Sequence, residues 1–476
     1  KGNTANGIGG GLRTNGNVER ITGCKFLGNT AARSGGAMYI GTAIDCLFEG
    51  NRALEGCGGA GYDLAAAIGC TALGNSADYG GGFADCGEIT NCVVSSNSAA
   101  NYGGGTYNCR TVTGGTEVRG NRAGREGSWA YGGGIYGASL VSNCVVSENV
   151  ATGYNGYGGG IARGNGDLMI ADCEISGNTA EGEEYSAGGG VYGSSWDNTA
   201  QAWRCTISGN TAVSRGNYNG GDGGGTYGTV LYQCRVTDNV ARGNGYAHGG
   251  GAYGQLALEC DFTGNRAEAS FRGGNAYGGA AYGADLHTCT VSNNEARVGG
   301  GLSGGSAMDT LFTHNRASQS GGGTSGTTMT NCIVAHNRAP VDGGSASIAG
   351  WNNTVTLNES ERQETLLVWG ASNLLVWGET VGGRMQPVVT GMTTSTQQTP
   401  GSVYIGYDPD TWQSLYGTPV REAKPLPMAD PWNGDYRLLA GSEAIDAGTY
   451  GWDGTLYYDM KNGLRVRGSA PDVGAL

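Results

Sequence analysis

Hydrophobic and polar positions alternate over short stretches that recur along the chain. After Cys24, for example, Lys25 is polar, Phe26 is hydrophobic, and Asn29 follows three positions later. The full repeat is a Cys or Thr, a hydrophobic residue two positions on, an Asn five positions on, an Ala and a run of glycines. It occurs 13 times up to Asn337, with a period of 21 to 32 residues. Period-two alternation is typical of half-buried strands, and a repeat of this length is typical of stacked supersecondary units.

Each repeat predicts three short strands. One follows the Cys, and a second precedes it and carries apolar residues such as Ile44 and Ile89. The third follows the glycines, as at Ile135 and Val191. The pattern therefore predicts an all-β fold, a right-handed parallel β-helix of about 14–17 rungs with an irregular C-terminal cap.

The repeat pattern changes near residue 360. No Cys follows Cys332, and eight of the nine prolines lie beyond residue 380. We expect residues 1–360 to form the β-helix repeats and residues 361–476 to form degenerate final rungs and a cap. A solenoid needs a cap because its last rung would otherwise expose a strand edge and an open apolar core.

Repeated Asn residues predict a ladder at one corner of the solenoid. Successive rungs lie about 4.8 Å apart, so equal repeat positions stack on one another. An Asn amide can bond both the corner backbone and the amide of the next rung, so we expect it to turn the chain. The predicted ladder contains Asn3, Asn29, Asn51, Asn75, Asn97, Asn121, Asn149, Asn178, Asn210, Asn239, Asn265, Asn294, Asn315, Asn337 and Asn358.

Cysteine forms a second predicted ladder, facing inward. Two interpretations stay open: a small hydrophobe in a narrow core, or disulfides between rungs, which the rung spacing permits on distance. Cys86 and Cys109 are better candidates for a disulfide, because each lies four residues after its glycine triplet, away from the main ladder. The ladder contains Cys24, Cys46, Cys70, Cys92, Cys144, Cys173, Cys205, Cys234, Cys260, Cys289 and Cys332.

Composition and net charge argue against several classes of protein and partner. The chain has 95 Gly but only 9 Pro, and the glycines form one cluster in each repeat, which argues against both collagen and disorder. A net charge of -13 repels phosphate backbones, so no nucleic acid partner is expected. No Cys/His group has ligand spacing, so neither a metal nor a cofactor is predicted. His314 and His336 are expected to stack on consecutive rungs.

The segment between the Asn and the glycines varies in length. It has 4 to 6 residues in the first five rungs, 8 to 12 in the six rungs between Asn121 and Gly278, and 4 after Asn294. Insertions on one face of a solenoid usually build its binding surface, so we expect long lateral loops over 121–278 to bind a partner. They mix rigid aromatics with Gly, Asn, Ser and Glu, as paratopes do. The predicted binding residues are Trp129, Tyr131, Tyr154, Tyr157, Tyr185, Tyr218, Tyr246, His248, Phe271 and Tyr277.

Two other arrangements of aromatic residues are considered. The loop aromatics could instead fold back and cover the glycine corner. A separate tyrosine column, four residues after the first Gly of each repeat, is interpreted as a structural aromatic stack. That column contains Tyr39, Tyr62, Tyr107, Tyr136, Tyr192, Tyr227, Tyr253 and Tyr282.

Several motifs resemble those of bacterial surface proteins. The Phe-x-x-Asn pattern, as at Phe26 and Phe48, and Gly-Gly-Ala at 35–37 resemble the repeats of polymorphic outer-membrane autotransporter adhesins. The tail segments 433–438 (NGDYRL) and 442–448 (SEAIDAG), with 459–465 and 471–475, resemble the C-terminal segment of secreted bacterial right-handed β-helix proteins of the choice-of-anchor type. The resemblance implies an extracellular or cell-surface location, with adhesion as the commonest role and anchoring to a membrane by parts outside this sequence as one option.

The function predicted from these features is a non-catalytic adhesin, a binding rod that recognises a surface glycan or protein of a host or microbe. A polysaccharide lyase or glycoside hydrolase is the alternative, since many β-helices carry such sites. Paired carboxylates for that chemistry are not evident. The densest acidic group is Glu181, Glu183 and Glu184, which Asp222 and Glu268 could approach. A structural subunit of a surface layer or filament, held together by self-association, is the third class considered.

Overall fold

The structure, a computed structural model, describes residues 1–361 apart from 16–18, 195–198, 217–219, 272–273 and 352, together with strands between 366 and 438. All regular elements of the described residues are β-strands. None of these residues forms a helix long and apolar enough to cross a membrane. The chain divides into two compact units, Lys1–Gln255 with Glu268–Gly274, and Leu256–Ala267 with Asn275–Leu476. Both are stacked parallel sheets of a β-helix, as predicted.

The Cys sheet consists of the strands that follow the Cys position. Its pairing is parallel and in register, so that Phe26 lies beside Phe48 in the next rung. In the first unit its strands are Lys25–Leu27, Leu47–Glu49, Thr71–Leu73, Val93–Ser95, Glu117–Arg119, Val145–Ser147, Glu174–Ser176, Thr206–Ser208 and Arg235–Thr237. In the second unit they are Asp261–Thr263, Thr290–Ser292, Leu311–Thr313, Ile333–Ala335, Thr354–Thr356, Leu374–Trp377, Val403–Gly406 and Val420–Glu422.

The Asn sheet consists of the strands that follow the ladder Asn. In the first unit they are Thr4–Ala5, Thr30–Ala31, Arg52–Ala53, Ser76–Tyr79, Ser98–Tyr102, Arg122–Ala123, Trp129–Tyr131, Val150–Tyr157, Thr179–Ala187, Thr211–Ser214, Gly220–Asp222, Val240–Gly243 and Tyr246–His248. Arg266–Ala269 has two residues in each unit. In the second unit they are Asn275–Tyr277, Glu295–Val298, Arg316–Ser320, Arg338–Ala339, Glu359–Ser360, Thr380–Val381 and Arg384–Met385.

The Gly sheet contains both the strand after the glycines and the strand before the Cys. In the first unit its strands are Leu12–Arg13, Arg20–Thr22, Met38–Ile44, Gly61–Ile68, Phe83–Ala84, Glu88–Thr90, Thr106–Tyr107, Thr111–Thr113, Ile135–Tyr136, Leu140–Ser142, Ile161–Ala162, Leu168–Ala171, Val191–Tyr192, Ala200–Trp203, Thr226–Tyr227, Val230–Tyr232 and Ala252–Tyr253. In the second unit they are Leu256–Leu258, Ala281–Tyr282, Asp285–His287, Leu302–Ser303, Ser306–Met308, Thr324–Thr330, Ser345–Trp351, Leu366–Ser372 and Val389–Thr390. Met428–Asp430 and Asp435–Leu438 form a separate antiparallel pair.

The third sheet differs from the sequence prediction. The strand after the glycines and the strand before the Cys are predicted as two separate strands of each rung, and in the structure both belong to the Gly sheet. The segment after the Asn, predicted as a turn and loop, forms the strands of the third sheet, the Asn sheet. Its insertions extend that sheet: Val150–Tyr157 pairs with Thr179–Ala187 along most of its length. The reason is that each insertion lies over another insertion, so its backbone groups find partners in the neighbouring rung.

The Asn ladder is confirmed. Asn149, which is fully buried, donates from Nδ2 to Asn178 Oδ1 at 2.9 Å and to the Val118 carbonyl at 2.8 Å. Its own Oδ1 accepts the backbone N–H and the side-chain amide of Asn121. One side chain therefore ties the corner of its own rung to the rungs before and after it.

The glycines lie next to the Asn ladder rather than at the opposite corner, since a Cβ on Gly134 would lie 2.9 Å from the Asn149 side chain. Glycine is required at this corner for two reasons. Gly132, the first of its triplet, has a φ of +62°, which L side chains rarely adopt. Gly133 follows it, and a Cβ there would lie 2.3 Å from the Gly159 carbonyl oxygen and 2.4 Å from the Val150 carbonyl carbon. The rungs consequently approach each other at this corner with no side chain between them.

The cysteines of the inward ladder are buried, apart from the exposed Cys24, and all 14 cysteines are free thiols. Several thiols donate to a backbone carbonyl two residues earlier, as Cys46 Sγ does to Ile44 at 3.2 Å. Cys86 and Cys109 are both buried, and burial raises the pKa of the Cys86 thiol, which also hydrogen-bonds Cys109. The two are neighbours, and oxidation of this thiol pair to a disulfide stays a prediction.

The second unit continues the rung pattern beyond residue 360. Leu374–Trp377 pairs in parallel with Thr354–Thr356, and Val403–Gly406 and Val420–Glu422 follow it in the same sheet. The predicted cap falls mostly outside the described residues. His314 and His336 stack as predicted, with ring centroids 5.1 Å apart.

Candidate functional site: a tyrosine face at the glycine corner

Two columns of tyrosines line the two sides of the glycine corner in the first unit. The first column directly precedes the glycines and runs in register from Tyr79 through Tyr102 and Tyr131 to Tyr157. The second follows the glycines in the Gly sheet. We call the two columns together the tyrosine face, and it consists of Tyr79, Tyr102, Tyr131, Tyr157, Tyr107, Tyr136, Tyr192, Tyr227 and Tyr253.

The second column stacks as the sequence predicts. The ring centroids of Tyr192 and Tyr227 are 5.4 Å apart and those of Tyr227 and Tyr253 4.7 Å apart, with interplanar angles of 14° and 17°. Tyr107 and Tyr136 stack at 5.4 Å and 10°. Near-parallel rings at these distances follow from the rung spacing, because each ring lies over its counterpart.

The two columns also contact each other across the corner, which turns them into one surface. The ring centroids of Tyr102 and Tyr136 lie 5.1 Å apart, and those of Tyr157 and Tyr192 lie 4.9 Å apart. Between the columns each rung has its glycines and one buried residue, such as Thr106 or Ile135, whose side chain lies in the core. The sequence interpretation of the second column as a stack was therefore incomplete, since its rings also form part of a wider aromatic surface.

Most rings of the tyrosine face are half-buried and Tyr157 is buried. Burial raises the pKa of Tyr107 and of Tyr192 to about 12, and raises the pKa of Tyr131 further. These phenols therefore stay neutral over the physiological pH range and keep an O–H donor. The face can offer ring surface and hydroxyl groups to a ligand at the same time.

The predicted binding residues that the structure describes in the first unit lie in or next to strands of the Asn sheet. Trp129, Tyr154, Tyr246 and Phe271 are exposed, with 54%, 42%, 44% and 69% of their surface accessible. Large exposed aromatics on neighbouring rungs are unusual unless they contact something. Of the other predicted residues, Tyr131, Tyr185, His248 and Tyr277 are half-buried, Tyr157 is buried, and Tyr218 lies outside the described residues.

A polar cluster continues the first tyrosine column. Ala187, Asp222 and His248 follow Tyr157 in register. Asp222 is 7% exposed and accepts a hydrogen bond of 2.8 Å from the Tyr185 hydroxyl, while its other oxygen lies 2.7 Å from His248 Nδ1. The Tyr185 hydroxyl also bonds Tyr227, and burial raises the Tyr185 pKa.

The acidic residues considered for catalysis take separate partners. Glu181 pairs with Arg215, and Glu268 pairs with Arg242 at 2.7 Å. Asp222 contacts Tyr185 and His248 instead. The described contacts therefore do not bring these carboxylates together as an acid and base pair across an open site.

Sequence reasoning missed Tyr79, Tyr102 and the role of Asp222. A signal for the tyrosines is present, because Tyr directly precedes the first Gly at Tyr79, Tyr102, Tyr131 and Tyr157. No such signal exists for Asp222, whose register depends on the length of the insertion before it.

The fold and the face together define a parallel β-helix repeat protein with an aromatic lateral surface. Comparisons with family models, with curated proteins and with solved structures find no match for this chain. The functional argument therefore depends on the geometry.

Proposed function

We propose that this chain is an exported bacterial surface protein that acts as a non-catalytic adhesin and binds an extended glycan along the tyrosine face. The observation that carries the proposal is the contact between the two tyrosine columns across the glycine corner, at 4.9 Å between Tyr157 and Tyr192. It makes a continuous strip of half-buried phenol rings that follows the rung stacking direction. The location at the bacterial surface rests on the resemblance of the repeats and the tail.

The chemistry of the face suits a sugar chain. Pyranose rings present C–H faces that pack on aromatic rings, and their hydroxyls accept from neutral phenols. One rung rises about 4.8 Å, close to the length of one sugar unit in an extended chain, so successive rings can meet successive units. A net charge of -13 favours a neutral or cationic glycan over an acidic one.

The exposed aromatics of the insertions extend the proposed surface. Trp129 lies 6.4 Å from Tyr157, edge to face, so it flanks the first column while keeping more than half of its surface accessible. Rigid aromatics with few rotatable bonds lose little conformational entropy on binding.

The experiment is a glycan array screen of the full chain beside a Tyr131→Ala/Tyr192→Ala variant, with released sugar assayed in the same wells. We expect the wild type to bind and the double variant to bind at least about tenfold more weakly, because each column loses a central ring. Tyr232→Ala is the matched control. Tyr232 is also a half-buried, stacked tyrosine of the Gly sheet, but its partner is Trp203, at 3.9 Å, outside the face.

Two outcomes contradict the proposal. Release of sugar by the wild type would establish a carbohydrate-active enzyme. Equal binding by the double variant and the wild type would locate the binding surface elsewhere.

A further inference from the structure

A cavity of about 450 Å³ opens on the Gly sheet side of the first unit. Its volume falls within the roughly 300–1,000 Å³ of small-molecule sites. It spans three consecutive rungs, and neither the repeat pattern nor the tyrosine face accounts for it. Its polar lining consists of Asp63, Asp85, Asn108 and Arg110.

Three of these side chains come from one column. Gly61 and Tyr62 pair with Phe83 and Ala84, which pair in turn with Thr106 and Tyr107. The next residue in each rung is Asp63, Asp85 or Asn108, and all three have φ between 50° and 56°. Asp and Asn tolerate this left-handed conformation better than most residues. Because these three residues have the same backbone conformation and the same register, their polar side chains stack along one wall of the cavity.

The central carboxylate of this column is oriented by its neighbours. Asp85 is half-buried and accepts hydrogen bonds from the Tyr62 hydroxyl and the Asn108 amide. Its pKa is raised, chiefly by burial. Two donors on different rungs hold the carboxylate in one position, which is the preorganisation that a binding site requires.

The side chains at the two ends of the cavity, Asp63 and Arg110, have hydrogen-bonding groups available for a ligand. Asp63 and Arg110 are exposed, and within the described part of the chain neither side chain makes an ion pair or a hydrogen bond. Asp63 offers acceptors at one end of the cavity, and Arg110 offers donors two rungs away. Between them Asp85 and Asn108 supply further acceptors and a donor.

We propose that this pocket binds a single neutral hexopyranose unit, as a site separate from the tyrosine face and independent of glycan binding there. Adjacent carboxylate and amide groups can chelate neighbouring hydroxyls of a sugar, and the guanidinium donates to an oxygen on its far side. A divalent cation suits the pocket less well. Its carboxylates number only two, and the Arg110 charge opposes a cation.

The test is isothermal titration of the full chain with the methyl α-glycosides of glucose, galactose and mannose. Single sugars are too short to span several rings of the tyrosine face. We expect at least one to bind, and Asp63→Asn and Arg110→Gln each to weaken it at least about tenfold, since each removes a charged hydrogen-bonding group. Both residues are exposed, and Asn suits the left-handed backbone of Asp63, so both variants should fold.

Glu88→Gln is the matched control, because Glu88 is an exposed acid three residues from Asp85 that does not line the pocket. The Tyr131→Ala/Tyr192→Ala variant should bind the monosaccharide as the wild type does, which separates this site from the tyrosine face. The proposal is overturned if no methyl glycoside binds the wild type or if the pocket variants bind equally well. Saturable Ca²⁺ binding that the Asp63 variant abolishes, without sugar binding, would instead assign a cation site.

Discussion

At the scale of single residues, the corner Asn carries the strongest local constraint. Asn149 is fully buried and uses its amide and carbonyl in four hydrogen bonds to three residues. Removing it leaves buried polar groups of Asn121, Asn178 and Val118 without those partners. An unpaired buried polar group costs far more than one hydrogen bond contributes.

Asn149→Ala should therefore lower the free energy of unfolding by about 2–4 kcal/mol. The measurement is chemical denaturation followed by circular dichroism. Asn101→Ala is the control, because Asn101 is half-buried and makes one long side-chain hydrogen bond of 3.4 Å. Similar losses in both variants would contradict the role assigned to the ladder.

The cysteines make a second prediction at this scale. In the folded protein a thiol reagent should label the exposed Cys24 quickly and the half-buried Cys57 slowly, while the other thiols stay protected. Burial also raises the pKa of Cys57 to about 11, which reduces its thiolate at neutral pH. In denaturant without reductant, 14 free thiols are expected from the structure. A Cys86–Cys109 disulfide would leave 12, which is 14 less the two bridged residues.

The stacked histidines give a pH dependence. Burial, and then the charge of His336, lowers the pKa of His314 from its ordinary 6.5. The unfolded chain therefore takes up a proton first as the pH falls, so stability is greatest above about pH 6.5 and decreases below it.

His314→Asn should flatten the decrease in unfolding free energy between about pH 7 and pH 5. Asn occupies the same repeat position one rung earlier, at Asn293, with nearly the same φ, so the backbone should accept it. His287→Asn, outside the stacked pair, is the control. An unchanged pH profile in the His314 variant would show that the pair does not set it.

At the scale of elements, the insertions are strands that depend on each other. Val150–Tyr157 pairs with Trp129–Tyr131 on one side and with Thr179–Ala187 on the other. Shortening one insertion leaves the backbone groups of both neighbours without partners, whereas shortening all of them restores the short rungs seen near the start of the chain.

Trimming the 150–157 insertion alone to five residues should lower the midpoint of thermal unfolding by several degrees. Trimming all six insertions between 121 and 278 should keep the β-sheet signal by circular dichroism and abolish glycan binding. Binding that survives the full trimming would contradict the part assigned to the insertions.

The sequence predicts some elements better than others for a physical reason. Positions identical in every rung, such as Asn29, Asn51 and Asn75, are predictable because stacking repeats one environment. The Asn sheet was missed because its short strands, such as Thr30–Ala31, are too brief to show alternation. Contacts between columns, such as Tyr157 with Tyr192, depend on how the corner folds and have no sequence period.

At the scale of the whole molecule, the repeat places tyrosine rings on successive rungs, so that many weak ring contacts together form an extended surface. The second column spans six consecutive rungs of the first unit, and five of them carry a tyrosine: Tyr107, Tyr136, Tyr192, Tyr227 and Tyr253. The remaining rung has Ala162 at this position. A chain ligand can gain from each ring it reaches without any single strong contact. This is the physical basis of the binding function that we propose.

The most direct test of this account is the affinity of the full chain for oligosaccharides of increasing length, measured with the glycan that the array identifies. Binding along the face predicts that affinity rises as units are added up to about six, the number of rungs that the second column spans, and then levels off. It also predicts that Tyr131→Ala/Tyr192→Ala reduces the gain per unit. Affinity that does not change with length would contradict recognition along the tyrosine face.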